Sequence, residues 1–361
     1  MLLINQTGYS YESCICGFVK DKKTGEPIQF AHIFIANTSK GTTSDKNGQF
    51  RLENIPYGNF TLVCSIVGYE SYIRDMNLLP DEQIKLVITL QSSVVILDEI
   101  ELVAKADKKW EKAFKEFKRE LLGNTPNAVE CKIVNPWVVD FEKYRRKRII
   151  KAQVNQPLII NNHALGYQIS FLISRFEKEK DHLFYLGYPS FDVLDTADSS
   201  QLKKFQTNRE KTFRGSLRHF FYALVNNRLK EEGFMAFRIS SGYENIHLES
   251  LQEALNNDYF NPLEISQVVS ELNPWGICIF YTENMVEVMY TGKEWKDSPY
   301  FDAHYQVSRI VLNDLLEINQ YGYVFNPYDY VVNGYLSEER LANMLPFEYC
   351  QQRSNTGKPV Q

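Results

Sequence analysis

No stretch of this 361-residue chain approaches the ~20 consecutive apolar residues of a membrane-crossing helix, so no helical span is expected within it. An excess of positive charge is also lacking. Lys and Arg number 40 against 45 Asp and Glu, a net charge of −5, which gives no reason to expect a nucleic-acid partner. The one basic run, 143–148, is short and follows Asp140 and Glu142, and it reads as a solvated strand face. Histidine is sparse. None of the six, His32, His163, His182, His219, His247 and His304, has a Glu three residues later, so the His-x-x-Glu start of a zinc peptidase site is missing, and Glu249 after His247 has the wrong spacing. Among the six cysteines, Cys14 and Cys16 sit two apart on one strand face, where a bridge would be strained. Without a second Cys-x-Cys pair no metal site is expected, and with Cys64, Cys131, Cys278 and Cys350 scattered, buried free thiols are the default. Asp192, Asp195 and Asp198 lack the glycine and terminal Glu of a calcium loop and read as a turn or helix start. Neither metal nor cofactor is expected.

What is present is ample apolar material. Hydrophobic residues make up 44% of the chain and charged residues 24%, enough for two or three units with sizeable cores. Aromatics reach 14%, with 22 Tyr and 23 Phe, and suit strand-rich cores before a sugar-binding surface. From 14 to 90, short apolar segments alternate with turn signals. Asp21-Lys22-Lys23-Thr24-Gly25-Glu26-Pro27 reverses the chain after the strand at 15–19, and 31–36 is a half-buried strand. Asn47-Gly48 tolerates positive φ before the strand at 49–53, and Pro56-Tyr57-Gly58 turns into the strand at 61–67. Ile84, Leu86, Ile88 and Leu90 face one way. About seven short strands at this spacing predict a β-sandwich with Greek-key connections.

Five segments in order, Gly17-Phe18-Val19 with Thr24-Gly25-Glu26-Pro27-Ile28, Ala31-His32-Ile33-Phe34-Ile35, Gly41-Thr42-Thr43-Ser44-Asp45-Lys46-Asn47-Gly48-Gln49-Phe50, Ile55-Pro56-Tyr57-Gly58 and Val67-Gly68-Tyr69, resemble the carboxypeptidase-regulatory-like domain. The resemblance implies a transthyretin-like (prealbumin-like) sandwich and, since the family is abundant in the envelopes of Bacteroidetes, export to the periplasm or outer membrane. Residues 97–103 are similar to the segment joining this domain to the plug of outer-membrane receptors, but no plug follows. Residues 5–10 resemble the surroundings of a signal-peptide junction, while 1–4 are too short for the apolar core of a signal.

The expected organisation is therefore multidomain. It comprises an N-terminal segment at 1–12, an all-β sandwich at 13–104, a linking amphipathic helix at 105–126, an α+β domain with antiparallel sheet at 127–350, and a tail at 351–361. Asp107 is the candidate cap of the linking helix, and Trp110, Phe114, Phe117 and Leu121 form its apolar stripe. Strands are expected at 131–141, 148–154, 166–176 and 182–188, helices at 199–213 and 215–231, and strands again at 234–239, 277–281, 286–290 and 304–312. Segments at 164–169, 185–188, 208–221 and 339–346 are similar to uncharacterised Bacteroidetes proteins carrying the same N-terminal domain, a resemblance that bears on architecture and not on chemistry.

The candidate ligand-binding residues are Arg209, Arg214, Ser216, Arg218 and His219. Ser216 and His219 share a helix face, and the arginines bring positive charge to the helix start, so one reading is an anion or carboxylate pocket. The other makes Ser216 an N-cap and His219 a packed side chain, and is favoured because no Gly-x-Ser-x-Gly elbow or orienting acid accompanies the pair. No residue is assigned a catalytic role. The expected function is a non-catalytic cell-envelope binding or scaffold protein whose partner is an envelope protein, glycan or peptide. The alternative is a hydrolase-like enzyme with its site near 215–219.

Overall fold

The computed structural model describes residues 13–55, 58–79, 81–93, 108–142, 149–154, 156–180, 182–242, 249–326 and 328–349. The segments expected at 1–12 and 351–361, the basic run at 143–148, the joining segment at 97–103, and Asp107, His247 and Cys350 lie outside them.

Seven strands build the N-terminal sandwich: β1 (Cys14–Asp21), β2 (His32–Ile35), β3 (Gly41–Thr43), β4 (Gln49–Leu52), β5 (Gly58–Ser65), β6 (Tyr72–Leu78) and β7 (Gln83–Leu90). One sheet has the order β4-β1-β7, the other β3-β2-β5-β6. Period-two alternation supplies the core between them, where Ile15, Val19, Ile33, Ile35, Leu62 and Ile88 are buried. Turn chemistry sets the connections. The Asp45 carboxylate accepts from the N–H groups of Asn47 and Gln49 at 2.9 and 2.8 Å, and Asp21 accepts from those of Lys23 and Thr24 at 2.8 Å each. Those backbone bonds favour the charged form and pull the Asp21 carboxyl below its usual range.

The second sheet is covered at its centre, along β2 and β5, on its other face as well. Phe34 and Val63 point away from the sandwich core and cluster with Leu172 and Tyr188 of the following unit. At the end of β2, Asn37 adopts φ 64°, and the turn it forms inserts into the rest of the molecule. The Asn37 N–H donates to Pro189 O at 2.7 Å, the Phe191 N–H to Thr38 O at 3.0 Å and the Phe347 N–H to Asn37 O at 2.8 Å. Glu348 accepts from both the N–H and the hydroxyl of Ser39.

Beyond the sandwich, α1 (Lys108–Leu122) and α2 (Pro126–Val129) lead into β8 (Cys131–Ile133), β9 (Val139–Phe141), β10 (Ile149–Val154), β11 (Leu158–Asn162), β12 (Tyr167–Glu179) and β13 (His182–Val193). These six strands form one antiparallel sheet in the order β8-β11-β12-β10-β9, with β13 on β12. The α1 stripe packs on it through rings, Phe117 lying 4.7 Å from Phe176 and 5.7 Å from Phe141 between centroids. Helices α3 (Ser199–Phe213) and α4 (Leu217–Val225) follow, then β14 (Phe234–Ile239), α5 (Leu251–Leu255), β15 (Phe260–Pro262), α6 (Ile265–Val268), β16 (Ile277–Phe280), β17 (Met285–Glu294), β18 (Tyr305–Leu312), β19 (Leu316–Asn319) and β20 (Tyr330–Gly334). A five-stranded sheet runs β15-β14-β17-β18-β20, and β16 pairs with β19. The molecule is thus mostly β, a sandwich followed by a further β-rich unit with antiparallel sheets.

Two expected elements are corrected. The strand at 131–141 is split, because Asn135-Pro136 starts a 3₁₀ turn where proline has no N–H for the ladder. The helix at 215–231 stops at Val225: Asn227 takes φ 54°, its N–H donates to Leu224 O and the Arg228 N–H donates to Ala223 O, which closes the helix in a Schellman motif well before Gly233. β11, β15, β19 and β20 were not anticipated.

Candidate functional site

The elements around the start of α4 border two cavities. Gly215 makes the bend from α3 into α4 at φ +71°, and a Cβ there would lie 2.4 Å from the Tyr290 ring. Ser216 then caps α4, its hydroxyl accepting from the His219 N–H at 3.0 Å. Behind the helix lies a cavity of about 340 Å³. One wall is β13, through Tyr185, Leu186 and Gly187; a second is α4, through Leu217, Arg218 and Phe221; a third is formed by Tyr323 and Tyr330. The C-terminal segment closes it with Glu339, Asn343 and Phe347, and the sandwich contributes Asn37. A second, more polar cavity of about 340 Å³ shares Thr212, Glu339 and Asn343 with the first and adds Asn127, Arg214 and Lys293.

Glu339 lies at the meeting of the two spaces. Its Oε2 accepts from the Leu217 N–H at 3.2 Å, at the positive end of α4. Desolvation by the surrounding protein nevertheless outweighs that bond and the nearby Lys293 and Arg340 charges, pushing the carboxyl up to about 7. Tyr323 and Tyr185 in the cavity wall are each pushed up to about 12, chiefly by burial. Their hydroxyls are neutral across the physiological range.

The sequence-derived candidates are distributed unevenly around these spaces. Ser216 and Arg218 line the first cavity and Arg214 the second, while Arg209 and His219 line neither. The Arg218 guanidinium donates to four carbonyls, those of Leu345 at 2.7 Å, Pro346 and Phe347 at 3.1 Å, and Tyr321 at 3.3 Å. Arg214 pairs with Glu210 at 2.6 Å. Arg209 lies 4.0 Å over the Tyr167 ring and donates to Leu165 O at 2.8 Å. His219 is fully buried. Its Nδ1 accepts from the Gly215 N–H at 3.0 Å, which puts the ring proton on Nε2, facing Glu232 at 3.0 Å. Neither ring nitrogen is directed at the Ser216 hydroxyl, so the pair does not form a nucleophile and base. Glu339 was missed, its only signal being its place in the 339–346 segment.

Among the described residues no three His, Cys, Asp or Glu side chains converge to hold a metal ion, and no helix is long and apolar enough to cross a membrane. Cys14, Cys16, Cys64, Cys131 and Cys278 are free; burial pushes the Cys64 and Cys131 thiols up to about 12.

The geometry defines a two-sheet β-sandwich docked on a β-rich unit that holds a cavity at the junction. Residues 15–102 match the CarboxypepD_reg-like domain family, and the N-terminal sandwich is a domain of that family. No curated protein matches the chain. Among solved structures, a cohesin–X-dockerin complex from Acetivibrio cellulolyticus is 18% identical over 22% of this chain and 58% of that one, with a TM-score of 0.20. The major pilin subunit BcpA of Bacillus cereus is 17% identical over 23% and 30%, also at 0.20. The chain therefore spans less than two thirds of either protein. A protein from Bacteroides fragilis, described as membrane-associated and of unknown function, is 14% identical over 90% and 93% at 0.19. Scores of this size carry no argument about function.

Proposed function

We propose that this is a non-catalytic binding protein of the cell envelope, exported to the periplasm or held at the outer membrane, in which the sandwich docks on the α+β unit and completes a ligand cavity. The observation that carries this reading is the lining of the cavity of about 340 Å³, which draws on the sandwich through Asn37 as well as on β13, α4 and the C-terminal segment. Spaces of about 300–1,000 Å³ lined mainly by apolar and aromatic groups with a few polar ones are where small ligands or single side chains are held. The ligand is a piece of an envelope glycan, peptide or protein. In this reading Ser216 and Arg218 are wall residues, Arg214 belongs to the adjoining polar space, and Arg209 and His219 hold the scaffold behind them. The boundaries at 104, 126 and 350 divide the chain into sandwich, linking helix, binding unit and tail.

A thermal-shift screen of the full chain against glycans, short peptides and small aromatic compounds tests the cavity. Saturable stabilisation by one class is expected. That shift should vanish in Leu186→Trp, which places an indole in the wall, and the reading fails if the variant binds as the wild type does. Fractionation of cells of the source organism tests the envelope assignment, and recovery in the cytoplasm would overturn it.

The Glu339 carboxyl favours a second reading, a hydrolase-like enzyme, because a group titrating near neutrality can both donate and accept a proton. Turnover of model esters or glycosides that is lost in Glu339→Gln would select it over simple binding.

A further inference from the structure

We propose that the cavity behind α4 takes an organic ammonium ion, its cationic group against the Glu339 carboxylate and its apolar body among the aromatic rings of the wall. This deepens the reading of the cavity as a ligand site and rests on it. Four features of the structure lead there.

The carboxylate accepts a single hydrogen bond among the described residues, that from the Leu217 N–H, whereas two carboxylate oxygens offer about four acceptor positions. It also lacks an ion-pair partner among those residues, although five cations line the two spaces, Arg218 and Arg340 the first and Lys211, Arg214 and Lys293 the second. Arg214 pairs with Glu210, and three of the others are turned to carbonyl groups. Arg218 donates to Tyr321, Leu345, Pro346 and Phe347; Lys293 Nζ donates to Lys211 O at 2.6 Å and Arg214 O at 2.5 Å; and Arg340 donates to the carbonyls of Ser337 and Glu339. The cationic side chains bordering the cavity behind α4, Arg218 and Arg340, are therefore occupied by the fold, and Glu339 is the charged group there left with capacity for a ligand. Finally, Tyr185, Phe213, Phe221, Tyr323, Tyr330 and Phe347 all border the cavity. Aromatic faces attract ammonium groups through their quadrupoles and bury the attached hydrocarbon. A free anion has no comparable partner here, since it would face Glu339 and compete with carbonyls for Arg218.

The ammonium belongs either to a free amine or to a peptide N-terminus. Phenethylamine, phenethyl alcohol and phenylacetate are isosteric probes of cationic, neutral and anionic head groups, and Phe-Gly-Gly with its N-acetylated form probes the peptide source. Calorimetric titration of the full chain should show saturable binding of phenethylamine, of Phe-Gly-Gly, or of both, with the alcohol, the acetate and the acetylated peptide each weaker by about tenfold or more. Glu339→Gln keeps an oxygen for the Leu217 N–H but removes the charge. It should lose about tenfold in affinity for the ammonium probe while leaving the alcohol unchanged. Equal binding of amine and alcohol to the wild type, a requirement for the anionic probe, or unchanged amine affinity in Glu339→Gln would each overturn the ammonium inference. Leu186→Trp separates this failure from failure of the cavity itself. If a neutral or anionic compound binds and is displaced by that indole, the cavity reading stands and the ammonium inference falls. If amine binding survives the indole, both fall.

Discussion

Arg218 illustrates how a cation at a helix start can be fully engaged by structure. Four carbonyls from two separate segments converge on its guanidinium, and the planar fork of donors satisfies them together. Truncation leaves several of those carbonyls without a donor in a confined space. Arg218→Ala is expected to lower unfolding free energy by about 2–4 kcal/mol, and Arg218→Lys to recover only part, because a single ammonium cannot span the same acceptors. Urea denaturation of the three proteins would measure both, and a lysine variant as stable as wild type would contradict the fork argument. Glu339 makes a prediction with a pH window. Its carboxyl titrates near the ordinary 4.5 when unfolded and near 7 when folded. Between those values the folded state holds the proton more tightly, so the group favours folding at low pH, and this contribution fades as pH rises through 7. Glu339→Gln cannot ionise. The melting temperature of the variant minus that of wild type should therefore be flat below about pH 4.5, climb between there and about pH 7, and level off above it. A constant difference across the whole range would mean that the carboxyl is not desolvated.

At the scale of elements, α4 couples local capping to the cavity wall. Ser216 satisfies the His219 N–H while Glu339 satisfies that of Leu217, so two of the unpaired donors at the helix start are met by side chains. Ser216→Ala should cost about 1 kcal/mol, whereas Ser216→Asp should retain the cap. A thermal melt that ranked alanine above aspartate would argue against this account. The capping role was legible beforehand, since a Ser after Gly and before an apolar run is a helix-start signal. So was the span of α3, where Asp198 accepts from the Ser200 N–H at the expected first residue. The sandwich was legible for a similar reason: its turns depend on local Asp, Asn and Gly chemistry, and its alternation is regular. The cavity was not. Glu339 follows Arg218 by more than a hundred positions, and nothing local to 339 indicates that it meets the start of α4. The end of α4 was misplaced because Gly233 is the usual stop signal, while Asn227 adopted the left-handed conformation that glycine more often supplies.

At the scale of the whole molecule, the sandwich is built to be covered on both faces at the centre of one sheet. In β5, Phe60, Leu62 and Cys64 point into the sandwich core, yet the intervening Val63 is equally buried, and in β2 Phe34 stands between the inward Ile33 and Ile35 in the same way. A freely tethered module would place polar residues at those positions. His32 belongs to this covered surface. Its ring stacks on Phe34 at 4.8 Å, and burial holds its pKa below the usual value despite the opposing pull of Asp192. Because the folded state resists charging that ring, acidification through about pH 6.5 should weaken the docking, whereas neutral pH leaves it intact. Val63→Asp tests the arrangement more directly. The aspartate is compatible with the strand and leaves the sandwich core untouched, but it puts a charge against Leu172 and Tyr188. If docking makes the two units cooperative, calorimetry of wild type shows one unfolding transition. Val63→Asp then resolves into two, with the cavity, deprived of Asn37, losing its ligand-induced shift in the same variant. Two independent transitions already present in the wild type would mean that the contacts of Asn37, Thr38 and Ser39 do not bind the units energetically, and the sandwich would then be a spacer instead of a wall of the site.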